Sequence, residues 1–127
     1  AELAVKGFAS EDPATEYNAG IQASFDYLGA TGAATYYSQA SVSYANAADK
    51  IAAIIGQKRL AVMGITAEQS RFDYTRTGIP TGLPKAAEPS TSERQVRLFF
   101  PASEVSTNAD NVPAQPNAFN DKPFWAN

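Results

Sequence analysis

Three groups of side chains have types and spacings that could do chemistry. Tyr17, Tyr27, Tyr36, Tyr37 and Tyr44 offer rings on which the apolar face of a pyranose can stack, although aromatics at helical spacing serve a packed core equally well. Asp73 stands between Arg71 and Arg76, close enough on one helix for charge-mediated binding; a carboxylate and an arginine three residues apart also form an ordinary solvated pair. Asn108, Asp110 and Asn111 present the oxygen atoms that calcium takes. The segment lacks the glycine at the sixth position and the glutamate at the twelfth of an EF-hand loop, so turn and capping chemistry is the plainer reading.

Two zeros exclude more than these groups suggest. The 127 residues contain no cysteine and no histidine, which removes disulfides, thiolate nucleophiles, Cys-ligated metals, the Ser-His-Asp triad and imidazole acid–base catalysis. Catalysis would fall to carboxylates, lysine or tyrosine. Glu11 and Asp12 are adjacent in a helix cap, and no other carboxylate pair has the spacing of an acid–base couple. Gly29, Gly32, Gly78 and Gly82 match neither nucleotide-binding glycine pattern. No enzyme and no cofactor is expected. The formal net charge is −3 with ten dispersed Lys and Arg residues, so no nucleic-acid partner is expected either. The apolar runs at 51–55 and 60–65 are separated by Gly56, Gln57, Lys58 and Arg59, far short of the ~20 residues that span a bilayer.

At 44% hydrophobic and 18% charged residues, the chain can pack a core and is long enough for one domain or part of one. Residues 1–7 read as the end of a helix with no capping residue before it. Asp12 and Pro13 begin the clearest helix, 13–28, where Tyr17, Ile21, Phe25 and Leu28 recur every three or four residues before Gly29. Thr31 is expected to cap a shorter helix, 32–40. Asn46, with Asp49 behind it, is expected to cap a helix over 47–63 that carries Ile51, Ile54, Ile55, Lys58 and Val62. Gly56 inside it suggests the close approach of a neighbouring backbone. Thr66 to Gln69 fits a capping box for a helix ending near Thr77, which would make a hairpin with its predecessor through a short turn.

Beyond Gly78 the prolines at 80, 84 and 89 impose a loop. Residues 94–100 alternate as a single extended segment with no partner strand, and Pro101 starts a helical turn over 102–105. The irregular tail closes on Phe124 and Trp125, whose large apolar area is expected to dock on the helices.

Several stretches, in order, resemble one family. Ala1-Glu2-Leu3-Ala4-Val5-Lys6-Gly7-Phe8, the helix from Tyr17 to Leu28, Ile54-Ile55-Gly56-Gln57-Lys58, Phe72-Asp73-Tyr74-Thr75-Arg76-Thr77-Gly78-Ile79-Pro80, and Arg97-Leu98-Phe99-Phe100-Pro101 followed by Glu104, Asn108, Asn111 and Trp125 are similar to the C-terminal part of SusD/RagB-type outer-membrane lipoproteins of Bacteroidota. Arg59 stands where the family carries tryptophan, and Phe99 where it carries proline.

The resemblance implies an all-α fold of tetratricopeptide-like helical hairpins plus an irregular C-terminal segment. Residues 1–127 would form the C-terminal part of a SusD-like domain whose N-terminal remainder is a partner in folding and carries the lipid anchor. It implies a cell-surface, outer-membrane subunit that captures oligosaccharide and delivers it to a TonB-dependent, SusC-type transporter. Oligopeptide capture by the same kind of subunit is an alternative, and a helical protein-interaction scaffold with no small ligand is a second. No ligand-contacting, catalytic or metal-binding residue is carried over from the family. On this reading, residues 1–127 expressed alone should aggregate or melt without cooperativity, because apolar faces would lack their cover. A sharp, reversible thermal transition of a monomer would contradict that expectation.

Overall fold

The computed structural model describes residues 1–84 and 94–126. Among these the architecture is all-α, with six α-helices and no strand. The chain divides into two compact units, one formed by Ala1–Tyr74 with Ile79–Thr81 and the other by Thr75–Gly78 with the described residues from Gly82 onward.

In the first unit, α1 is the short helix Glu2–Val5, with Lys6 reaching back 2.8 Å to Glu2. Helix α2, Pro13–Tyr27, begins as its sequence requires. Asp12 accepts hydrogen bonds from the Thr15 backbone N–H at 2.8 Å and from the Thr15 hydroxyl at 2.7 Å, and Pro13 occupies the first helical position. These bonds stabilise the ionised carboxylate and hold the Asp12 pKa below its ordinary value. Gly29, at φ 65°, turns the chain away from the end of α2.

Helix α3, Ala33–Tyr37, is shorter than expected. Its N-cap is Gly32, at φ 91° and without a capping side chain, so Thr31 does not take that role. Asn46 likewise caps nothing. It ends the 3-10 turn Tyr44–Asn46 and donates its amide to Ala40 O at 3.3 Å, while Asp49 caps α4, Lys50–Val62, by accepting from Ala52 N–H at 2.9 Å. Residues 47–49, expected to be helical, thus form the connection between this 3-10 turn and α4. Lys50 holds that turn by donating to the carbonyls of Tyr44 (2.6 Å) and Ala45 (3.1 Å), with its ammonium 4.8 Å from the Tyr44 ring centroid.

Helix α5, Glu68–Thr77, follows a five-residue connection. The main partners of α4 are α2 and α1, and α2 also receives α3 and the 3-10 turn. Helix α2 thus packs beside α4, with Tyr17, Ile21 and Ile55 buried. Ile55 is 1% exposed and is the largest fully buried side chain among the described residues. The close backbone approach expected at Gly56 is absent, since a Cβ there would meet nothing within 4 Å; nothing in the structure explains that glycine.

In the second unit, residues 94–100 are not a strand. The chain bends at 96–97, and its backbone pairs with the tail: Val96 and Arg97 N–H donate to Ala118 O at 2.7 and 3.3 Å, and the Gln115 amide bonds both Phe100 N–H and Phe100 O. A glutamine side chain does part of the work of a missing neighbour strand. Arg94 donates to the carbonyls of Leu83 and Pro84. Helix α6, Ala102–Thr107, extends the expected turn after Pro101. In the tail, Asn117 Oδ1 accepts from Phe119 and Asn120 N–H, and Asp121 accepts from Asn117 N–H. Ala118 is the tail's buried residue, whereas Phe124 is fully exposed and Trp125 is 41% exposed. The expectation that both rings would be docked is corrected, because turn hydrogen bonds, not aromatic burial, fix the tail.

Replacing Ile55 by Ala should cost about 2–5 kcal/mol, the range for deleting a fully buried aliphatic side chain. Denaturant unfolding of the full-length protein measures it. An effect below about 1 kcal/mol would mean that the site collapses readily or that α4 is not central.

Candidate functional site

The face of α2 that buries Tyr17 and Ile21 also carries Gly20, Ser24 and Phe25, since positions three and four apart share a helix face. Opposite lie Ile54, Gln57 and Leu60 of α4. Between them is a cleft of about 400 Å³, which Tyr36 of α3 also lines. This lies within the size range of small-ligand pockets and has their composition, a mainly apolar wall with a few polar groups.

Aromatic contacts shape the cleft. Phe25 and Tyr36 lie 5.5 Å apart between centroids at an interplanar angle of 40°, a tilted geometry favourable for ring quadrupoles. The Tyr36 hydroxyl donates to Gln57 Oε1 at 3.2 Å and so ties α3 to α4. Tyr17 is 5% exposed, donates to Val42 O at 2.7 Å and tilts against Tyr44 at 5.3 Å. Burial raises its pKa, because removal from water disfavours the phenolate, and the nearby Tyr36 adds to the shift.

The tyrosine platform read from the sequence is therefore divided by the tertiary structure. Tyr17 and Tyr36 reach the cleft, and Tyr44 supports Tyr17. Tyr37 is half-buried, and Tyr27 is 72% exposed and does not line the cleft. Phe25, Ser24 and Gln57 are cleft residues that the sequence did not single out as site groups. The α2 periodicity contained the signal for the first two; nothing local marked Gln57.

Asp73 also departs from its plainer reading. It is 5% exposed and receives Lys58 Nζ at 2.8 Å, so it is a buried carboxylate that joins α5 to α4 and not a solvated surface charge. The Lys58 side chain is 44% exposed, and it lines the cleft with its charge matched by Asp73. In the second unit, Asn108 donates to Glu104, and Asn111 donates to Asn108 Oδ1 at 2.7 Å. Their oxygens and amides are used in closing α6, the turn chemistry expected for this cluster. Among the described residues no group of three or more carboxylates could hold a metal ion.

Tyr17 links the site to pH. Its raised pKa means that the folded state keeps the phenol proton above about pH 10, where the unfolded chain releases it, so stability is full below that value and falls as pH rises toward the folded pKa. Tyr17→Phe should cost about 1 kcal/mol at neutral pH through the lost bond to Val42 O and should reduce the alkaline decline. Urea unfolding of both proteins at about pH 8 and 11 tests this; parallel declines would assign the pH dependence to other groups.

A SusD-like family model, described as starch-binding and associating with the outer membrane, matches residues 1–101. No curated protein and no solved structure matches the chain.

Proposed function

The chain belongs to the SusD-like family, and from that premise we propose that it is the C-terminal part of a cell-surface subunit that captures oligosaccharide and delivers it to a TonB-dependent, SusC-type transporter. The observation that carries this reading is the family match over residues 1–101, to a family of outer-membrane-associated binding proteins and not of enzymes. The cleft supports it, because apolar walls with aromatic rings and a few amide and hydroxyl groups suit a sugar. The same reading places a lipid anchor and further helices in an N-terminal remainder. Leu3, Phe8, Met63 and Ile65, each 46–79% exposed in the first unit, are apolar area that such helices would cover.

No described helix is long and apolar enough to cross a membrane. Peptide capture and a pure scaffold remain the competing readings.

Calorimetric titration of the full-length protein with maltooligosaccharides and with mixed oligopeptides, alongside co-purification with the transporter, separates these readings. The expected outcome is saturable glycan binding and a stable complex. Binding of peptides alone would replace the substrate class. Retention of the transporter with neither ligand bound would leave a scaffold.

A further inference from the structure

Resting on the glycan-capture reading above, we infer that the α2–α4 cleft is a subsite for a short, neutral glycan and discriminates against acidic ones. The first observation is Gly20. It sits in the middle of α2, where glycine is unfavourable relative to alanine, and a Cβ at that position would meet nothing within 4 Å. Close helix packing therefore does not account for it. Gly20 lies on the wall of the cleft, and its missing side chain leaves that space open.

The second observation is the hydrogen-bonding inventory. The Tyr36 hydroxyl uses Gln57 Oε1, which leaves the two Nε2 hydrogens of Gln57 without a partner among the described residues. Ser24 adds a hydroxyl to the same cleft. An amide and a hydroxyl beside Phe25 and Tyr36 match a pyranose, which offers hydroxyl groups at its edge and C–H groups on its face.

Charge supplies the specificity. The ionisable groups lining the cleft are Glu16 and Lys58, apart from the phenols and the chain's first amino group. The ammonium of Lys58 is matched at 2.8 Å by the Asp73 carboxylate, so it offers little net attraction to a uronate or sulfate, and Glu16 repels either. A neutral hexosyl unit meets no such penalty.

The test is calorimetric titration of the full-length protein and two variants with maltotriose and with trigalacturonate. Gly20→Leu fills the cleft from its wall with a better helix former and should keep or raise the melting temperature while weakening maltotriose binding at least about ten-fold. Gln57→Glu keeps an acceptor for Tyr36, removes the amide donors and should weaken binding by roughly two- to ten-fold. Trigalacturonate should bind more weakly than maltotriose throughout.

Unchanged maltotriose affinity in both variants would overturn the subsite and leave the glycan-capture reading standing. A wild-type preference for trigalacturonate would overturn the neutral specificity alone. Collapse of the Gly20→Leu fold would show that protein, not ligand, fills the cleft, and would overturn the inference if Gln57→Glu also bound normally. Absence of binding to any glycan in the wild-type protein would overturn the parent reading with it.

Discussion

The first unit depends on one seam, the burial of α2 against α4. Ile55 is its fully buried aliphatic anchor, with Tyr17 and Ile21 buried on the facing helix. Around it the other elements attach by specific bonds instead of large apolar areas. The 3-10 turn is held by Lys50 and by the Tyr17 and Tyr44 rings; α3 is joined through Tyr36 and Gln57; α5 is tied by Asp73 to Lys58. Each of these attachments would be worth about 1 kcal/mol or somewhat more alone. They hold their geometry because the seam fixes the helices from which they start.

The seam also explains why the cleft lies where it does. Helices α2 and α4 close over Ile55 and Ile21, but a glycine at 20 leaves the space above open, and Leu28 and Leu60 remain 65% and 54% exposed at its edges. Polar groups on this wall are half satisfied by design of the fold: Tyr36 uses one end of Gln57 and leaves the other. An apolar wall with unused donors is a binding surface in the physical sense, because a ligand that supplies both C–H area and acceptors gains from each. The Lys58–Asp73 pair, its carboxylate buried and its ammonium half-exposed, balances the Lys58 charge on that surface while it fastens α5.

The second unit is organised by different means. Apart from the six-residue helix α6, its described backbone is held by turn hydrogen bonds to the carbonyls of Asn108, Asn117, Ala118, Asn120 and Pro123 and by side chains of Asn, Gln, Asp and Arg. Such bonding fixes turns without burying much surface, which is why Leu98, Phe99 and Phe124 stay exposed there.

Much of the helical content was legible in the sequence, because helix starts are local chemistry. Asp12-Pro13 specifies the start of α2 by itself, and the three-and-four spacing of Tyr17, Ile21 and Phe25 specifies the face it buries. The family was legible too, through the order of its short motifs. Competition between neighbours was not. Asn46 and Asp49 are both good caps, and the choice fell to Asp49 once Lys50 could bind the carbonyls of Tyr44 and Ala45. A tyrosine's type does not say whether it will support a core, line a cleft or face solvent, and Tyr17, Tyr36 and Tyr27 took one role each. Asp73 reads as a surface charge until α5 brings it to Lys58. In each case local residues set what a group could bond, and only the tertiary structure decided which partner came within reach, because hydrogen bonds and ion pairs act over a few ångströms and the sequence alone does not set those distances.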